Sequence, residues 1–259
     1  MNTDNLLEFW FTVFLFDSLR YLVGAGGVAL VLYGLLKHFS EPRRIQQRLP
    51  KRSDLTREVG FSILTTAVYA TVALFTVQLE QAGFITYYSS ADDYPIAYTL
   101  FSLPLILVLH DAYFYWIHRL MHVKWLFRLF HLTHHRSHTP TSWAAYAFAP
   151  GEAVLMALFV PLYGAMFPTH EWVLFLFLAI MIIRNAMGHS GVEFHPSWWV
   201  DSPLDFLTTV THHDLHHQRG RGNYGLYFTW WDRWMGTEFG DYKEAFRRAA
   251  QTHPATVTA

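Results

Sequence analysis

Three groups of histidines carry the chemistry written into this chain: His118 and His122; His131, His134 and His135; and His212, His213, His216 and His217. Their spacing of three and four residues stacks imidazoles on one helical face. Neutral imidazole is the commonest nitrogen ligand for transition metals. One zinc ion uses four ligands, so this many convergent imidazoles point to a two-metal site held mainly by nitrogen. HRLMH at 118–122 is a weak signal alone, but two copies of HxxHH, at 131–135 and 213–217, accompany it. Packed together without metal, these rings would leave unpaired polar groups in a dry interior, which is costly.

Other polar residues are read against those groups. His189, in GHSGVEFHP, follows an apolar hairpin back to the histidine face and is a further ligand candidate. His110 precedes His118 by eight residues, about 12 Å along a helix, too far to share its ion. It suits either the substrate pocket or a satisfied polar position in the core. Asp111, Asp214, Glu152 and Glu193 are candidates for holding imidazole N–H groups in the ligating tautomer, or are ordinary buried carboxylates. His138 and His195 are weaker candidates, and His38, His170 and His253 read as surface or interface residues. His122 and His131 are nine residues apart, about half a turn out of phase on one helix. The chain must bend between them, although no Gly or Pro marks the place.

The elements that position these residues are apolar. The chain is 52% hydrophobic and 15% charged, where soluble domains carry nearer a quarter charged residues. Residues 21–36, 59–79 and 96–109 are apolar stretches, and 59–79 matches one bilayer crossing. Residues 153–167 and 172–183 read as a tight hairpin reaching part-way through the membrane. The predicted fold is all-α and multi-pass, with about four transmembrane helices and a cytoplasmic helical cap holding the di-metal site. Residues 1–259 form a single domain, with the catalytic region at about 109–238. The segment 24–27 (GAGG) has no strand before it and reads as small-residue helix packing, not a nucleotide loop.

Loop charge sets the expected orientation. Lys37, Arg43, Arg44, Arg48, Lys51, Arg52 and Arg57 crowd one loop, whereas residues 80–95 carry Glu80, Asp92 and Asp93 and no base. The basic loop should be cytoplasmic, and alternation then brings all three histidine groups to that face. The first residues lack the basic start of a cleavable signal. The polar tail from residue 242 reads as a short fraying helix. A net charge of −1 gives no pointer to nucleic acid, and the absence of cysteine removes disulfides, iron–sulfur clusters and haem-thiolate chemistry.

HDAYFYWIHRLMH at 110–122, HLTHH at 131–135, GHSGVE at 188–193 and THHDLHH at 211–217 resemble the fatty acid hydroxylase superfamily, also called the sterol desaturase family. NYGLYFTWWDRWMGTE at 223–238 resembles its closing segment. By itself that segment reads as a turn and an interfacial aromatic belt, or as a clamp on the last histidine group. The resemblance implies a membrane-embedded, non-haem di-iron enzyme that uses O₂ and two electrons to hydroxylate or desaturate a lipid. It implies His118, His122, His131, His134, His135, His189, His213, His216 and His217 as ligands, with His212 a further candidate. Two iron ions are expected, with zinc able to replace them. Two departures stand out: Ala149 replaces a histidine common among members, and Asn185 precedes His189 where fatty acid 2-hydroxylases pair two histidines. The second favours the sterol-type branch and leaves one coordination position to water, Asn185 or His212.

The expected reaction is hydroxylation of a sterol-like or fatty-acyl lipid, with desaturation as the alternative. The lipid would enter sideways past Phe101, Phe114, Tyr115, Trp143 and Tyr146. No haem or flavin segment is evident, so electrons would come from a separate protein on the cytoplasmic face. A bacterial inner membrane is favoured over the endoplasmic reticulum. A metal transporter would need ligands along its crossing helices, and 59–79 and 172–183 contain none. A zinc hydrolase would need an HExxH-type glutamate, which is absent.

Overall fold

The computed structural model describes residues 3–90 and 92–251. Four helices are long and apolar enough to cross a membrane: Asn5–Leu35, Arg52–Gln81, Ile96–Met121 and Glu171–Gly188, here the first to fourth spans. The shortest has 18 residues, about 27 Å of helix against a hydrocarbon core of about 30 Å. Only 28–33% of each apolar window is buried within the protein, so the remaining faces are matched to lipid. This is an integral membrane protein.

Small residues let the spans approach. A Cβ on Gly24 would stand 2.8 Å from Ile182 Cγ1 in the fourth span, and one on Gly26 would stand 3.1 Å from the Trp143 ring. Tyr21, Ala25, Tyr146, Ala153, Ile182 and Ala186 form the core cluster at this junction.

The hairpin reaches further than its apolar lengths suggest. Its first arm is broken into Pro150–Ala157 and Phe159–Met166, but its second arm is the fourth span. Between them Thr169–His170 pairs in parallel with Tyr87–Tyr88, so the hairpin tip reaches the loop between the second and third spans. His170 is buried there and accepts the backbone N–H of Trp172, capping the fourth span; it is not a surface residue.

At the opposite end the basic loop folds onto the segment after the fourth span. Ile45 N–H donates to Gly191 O and Glu193 N–H to Arg43 O, each at 3.0 Å. Helix Val210–Arg219 lies here, backed by Tyr242–Ala250. That last helix does not fray as a polar tail would, because Tyr242, Phe246 and Ala250 are buried against Val200 and Leu215. His253 lies outside the described residues.

The bend between His122 and His131 falls at Val123. His122 caps the third span, Val123 is extended at φ −63° and ψ 130°, and one helical turn leads into a π-helical turn at Phe127–His131. A π turn shifts helical phase, which delivers His131 to the face occupied by His118.

Candidate metal centre

Nine imidazoles converge in two groups. His118, His122, His131, His135 and His216 form one, and His134, His189, His213 and His217 the other; within each, the candidate ligand atoms all lie within 4.8 Å of one another. The groups adjoin through the rings of His131 and His134, 5.2 Å apart, and of His135 and His217, 4.9 Å apart. All but the half-buried His122 are buried.

Backbone carbonyls fix the ring tautomers. Nδ1 of His118, His122 and His216 lies 2.9, 3.0 and 2.7 Å from the carbonyls of Tyr224, Gly220 and Gly222. A carbonyl only accepts, so each Nδ1 carries the proton and each Nε2 keeps its lone pair. His189 Nδ1 does the same with Asn185 O at 2.8 Å, and His131 Nδ1 meets Glu152 Oε1 at 2.7 Å. Burial drives the ring pKa values down, to about 4 for His122 and His189 and well below the ordinary value for His131, His134, His135, His213, His216 and His217. At neutral pH the rings are therefore uncharged, with nitrogen lone pairs aimed inward.

That arrangement fits a metal better than it fits a hydrogen-bond network. Nε2···Nε2 separations are 3.0 Å for His118–His131, 2.9 Å for His135–His216, 3.2 Å for His134–His189, 2.9 Å for His189–His213 and 3.1 Å for His213–His217. His213 Nε2 faces two such neighbours, and one proton cannot serve both contacts. Nitrogens about 2.0–2.1 Å from a metal stand about 2.9 Å apart at right angles and about 3.3 Å at the tetrahedral angle. His122 Nε2 has no hydrogen-bond partner, as expected for a donor atom reserved for a cation.

The loop supplying three of the carbonyls is itself held. Gly220, Gly222 and Asn223 take left-handed φ values of 66°, 70° and 52°, a tight path that brings the carbonyls of Gly220, Gly222 and Tyr224 to the rings. Asp232 accepts from Tyr224 N, Gly225 N and Thr237 Oγ1 at 2.9, 2.8 and 2.6 Å. The closing segment is thus a clamp on the imidazoles as well as an aromatic surface.

Several site candidates stand elsewhere. His212 belongs to neither group: it packs on Tyr242, with Nε2 3.5 Å from Asp232 Oδ2. Of the four carboxylates only Glu152 meets one of the nine grouped rings; His195, which pairs with Glu193, belongs to neither group. Asp111 accepts from Tyr227 N, Phe228 N and Trp230 Nε1, Asp214 binds Gln46 and Gln218, and Glu193 binds His195 and Thr211. Asn185 Nδ2 is committed to Ala145 O at 2.6 Å. Exposed His138 stands outside both groups. His110 Nδ1 meets Tyr227 Oη at 2.9 Å, and its ring packs on Phe159 and Phe177. The sequence offers a clamp on the last histidine group as one reading of 223–238; the backbone carbonyls that hold the rings carry no such signal beyond the GRGNYG spacing at 220–225, turn-forming residues right after the last histidines.

His110 also lines a cavity of about 330 Å³ bounded by the first, second and fourth spans and by Met156, Phe159 and Val160. Met156 is one turn beyond Glu152, which holds His131. None of the five aromatics expected along the lipid path lines this cavity: Phe101 is 61% exposed on the outer surface, and Tyr115 stacks on Trp231.

Apolar spans carrying two adjoining imidazole groups at one end define a membrane protein with a histidine-built candidate dinuclear centre. The chain belongs to the fatty acid hydroxylase family, which it matches over residues 103–237. It is 28% identical over 217 residues to a Delta(7)-sterol 5(6)-desaturase of Gibberella zeae, covering 83% of this chain and 65% of that one. It is 32% identical over 193 residues to a lathosterol oxidase of Homo sapiens, covering 72% and 62%, and 28% identical over 167 residues to a C-4 methylsterol oxidase of Schizosaccharomyces pombe, covering 62% and 55%. The matched region thus spans 55–65% of these relatives' lengths. No solved structure matches the chain.

Proposed function

We propose that the protein is an O₂-dependent lipid oxidoreductase whose nine grouped histidines hold two iron ions. The observation that carries this reading is the convergence of carbonyl-fixed Nε2 lone pairs at one end of spans that enclose an apolar cavity, which His110 of the third span also lines. The sterol desaturase and sterol oxidase names of the relatives favour a sterol-like lipid. Bound iron would supply O₂ activation, and hydroxylation consumes one O₂, two electrons and two protons to give an alcohol and water. The chain's own residues exclude water from the centre, keep the imidazoles neutral and hold the lipid beside them. Hydroxylation is preferred over desaturation, and a separate protein supplies the electrons.

Mass spectrometry of lipids from cells with and without the gene, under ¹⁸O₂, tests the reaction. A product heavier by one labelled oxygen is expected; loss of two hydrogens would mark the desaturase alternative, and no change would overturn the reading. His110→Phe is expected to leave metal content unaltered while lowering turnover by roughly 10- to 100-fold through a misplaced substrate. Equal loss of metal and turnover would remove His110 from the pocket and place it in the metal centre.

The histidine end is assigned to the cytoplasmic side because the seven bases of the 37–57 segment accompany it. Reporter fusions at Arg48 and Gln251 should read inside, and at Asp92 outside. Opposite sides for Arg48 and Gln251 would contradict the four-span path.

A further inference from the structure

We propose that Arg20, neutralised by Asp17, recognises a single uncharged oxygen, a hydroxyl or carbonyl, on the lipid in this cavity; the inference rests on the lipid-oxidising reading above. Both residues line the cavity, whose other walls are chiefly apolar. Arg20 Nη2 meets Asp17 Oδ1 at 3.0 Å, and the two side chains are only 10% and 11% exposed. Residue 20 is the sixteenth of the 31 residues in Asn5–Leu35 (20 − 5 + 1), which puts this pair at mid-span. An ionisable residue there is expensive and marks function.

This pair has no evident duty in holding the bundle. Both members lie on one helix, three residues apart, so they tie no two spans together. Arg20 Nε and Nη1 are buried without a hydrogen-bond partner. Free donors facing an apolar cavity await an acceptor carried by its occupant.

The chemistry of that acceptor follows from the guanidinium. Nε and Nη1 lie on different edges of the fork, and the contact of Asp17 with Nη2 takes one of those edges out of a paired grip, which leaves on that edge a lone N–H. That lone N–H suits a single acceptor oxygen. Asp17 also cancels the charge that would attract a carboxylate. His110 lines the same cavity, so anchoring the oxygen at Arg20 sets which carbon is held toward the histidine end.

Equilibrium binding to the purified, metal-loaded protein in detergent tests this, with cholestanol against cholestane, octadecanol against octadecane, and octadecanoate as the charged probe. At least one alcohol should bind about 10-fold tighter than its hydrocarbon, the yield of one good buried hydrogen bond. The double variant Asp17→Leu/Arg20→Leu should erase that preference while keeping hydrocarbon affinity and metal content, since replacing a whole buried ion pair by apolar residues is commonly tolerated. Asp17→Asn, which leaves Arg20 cationic, should shift preference toward octadecanoate. Alcohols binding no better than hydrocarbons, octadecanoate preferred by the unaltered protein, or a preference surviving in the double variant would overturn the proposal. Binding is read without turnover: an Arg20-dependent preference in a protein that oxidises no lipid would sink only the functional reading, and lipid oxidation without that preference only this one.

Discussion

His213→Ala is expected to reduce bound metal from two ions per chain to about one and to take lipid oxidation to background. His213 Nε2 stands 2.9 Å from His189 Nε2 and 3.1 Å from His217 Nε2, at the heart of the four-histidine group. Only three imidazoles would remain there, and helix geometry prevents the neighbouring rings from replacing the fourth. His216→Ala should do the same to the five-histidine group, leaving the other ion in place. The two variants should therefore lose different metals, and the double variant both. Full metal content in either single variant would remove that group from the account.

Asp232→Ala is expected to weaken the five-histidine group without touching a ligand. Its carboxylate collects two backbone donors from the loop whose carbonyls orient His118, His122 and His216, and a third from the Thr237 hydroxyl. Removing it leaves buried donors unsatisfied, at about 1–3 kcal/mol each. Gly225 shows how tight the turn is, because a Cβ there would run into the Phe228 carbonyl. Loss of such outer partners typically costs about 10- to 100-fold in metal affinity or activity. Asp232→Asn, which keeps the shape and one acceptor oxygen, should fall between. Metal titration and thermal unfolding of both variants check this; wild-type affinity and melting temperature in Asp232→Ala would contradict the clamp.

The imidazole groups were legible because metal ligands repeat with helical spacing. HxxHH places three rings on one face whatever surrounds them, and all nine grouped histidines were visible that way or through the resemblance. His212 shows where spacing fails: it is four residues from His216 just as His213 is four from His217. Only the packing of Val210–Arg219 against Tyr242 decides which pair faces inward. The carboxylates misled for a related reason. A backbone carbonyl holds an imidazole N–H as well as a carboxylate does but leaves no side-chain signature, so Asp111, Asp214 and Glu193 drew attention while Gly220, Gly222 and Tyr224 did the holding. The bend at Val123 was invisible because an extended residue followed by a π turn needs neither Gly nor Pro. Asp17 and Arg20 carry no signal in the sequence beyond their charge, since burial and free N–H groups exist only once the helices pack.

The central claim is that nine imidazoles hold two metal ions. It is tested most directly by counting metal per chain, by mass spectrometry, in protein purified without chelators from iron-replete cells. Two transition-metal ions per chain are predicted, iron in the native protein, with zinc able to take its place. One ion or none, in protein that keeps its native melting temperature, would contradict the account.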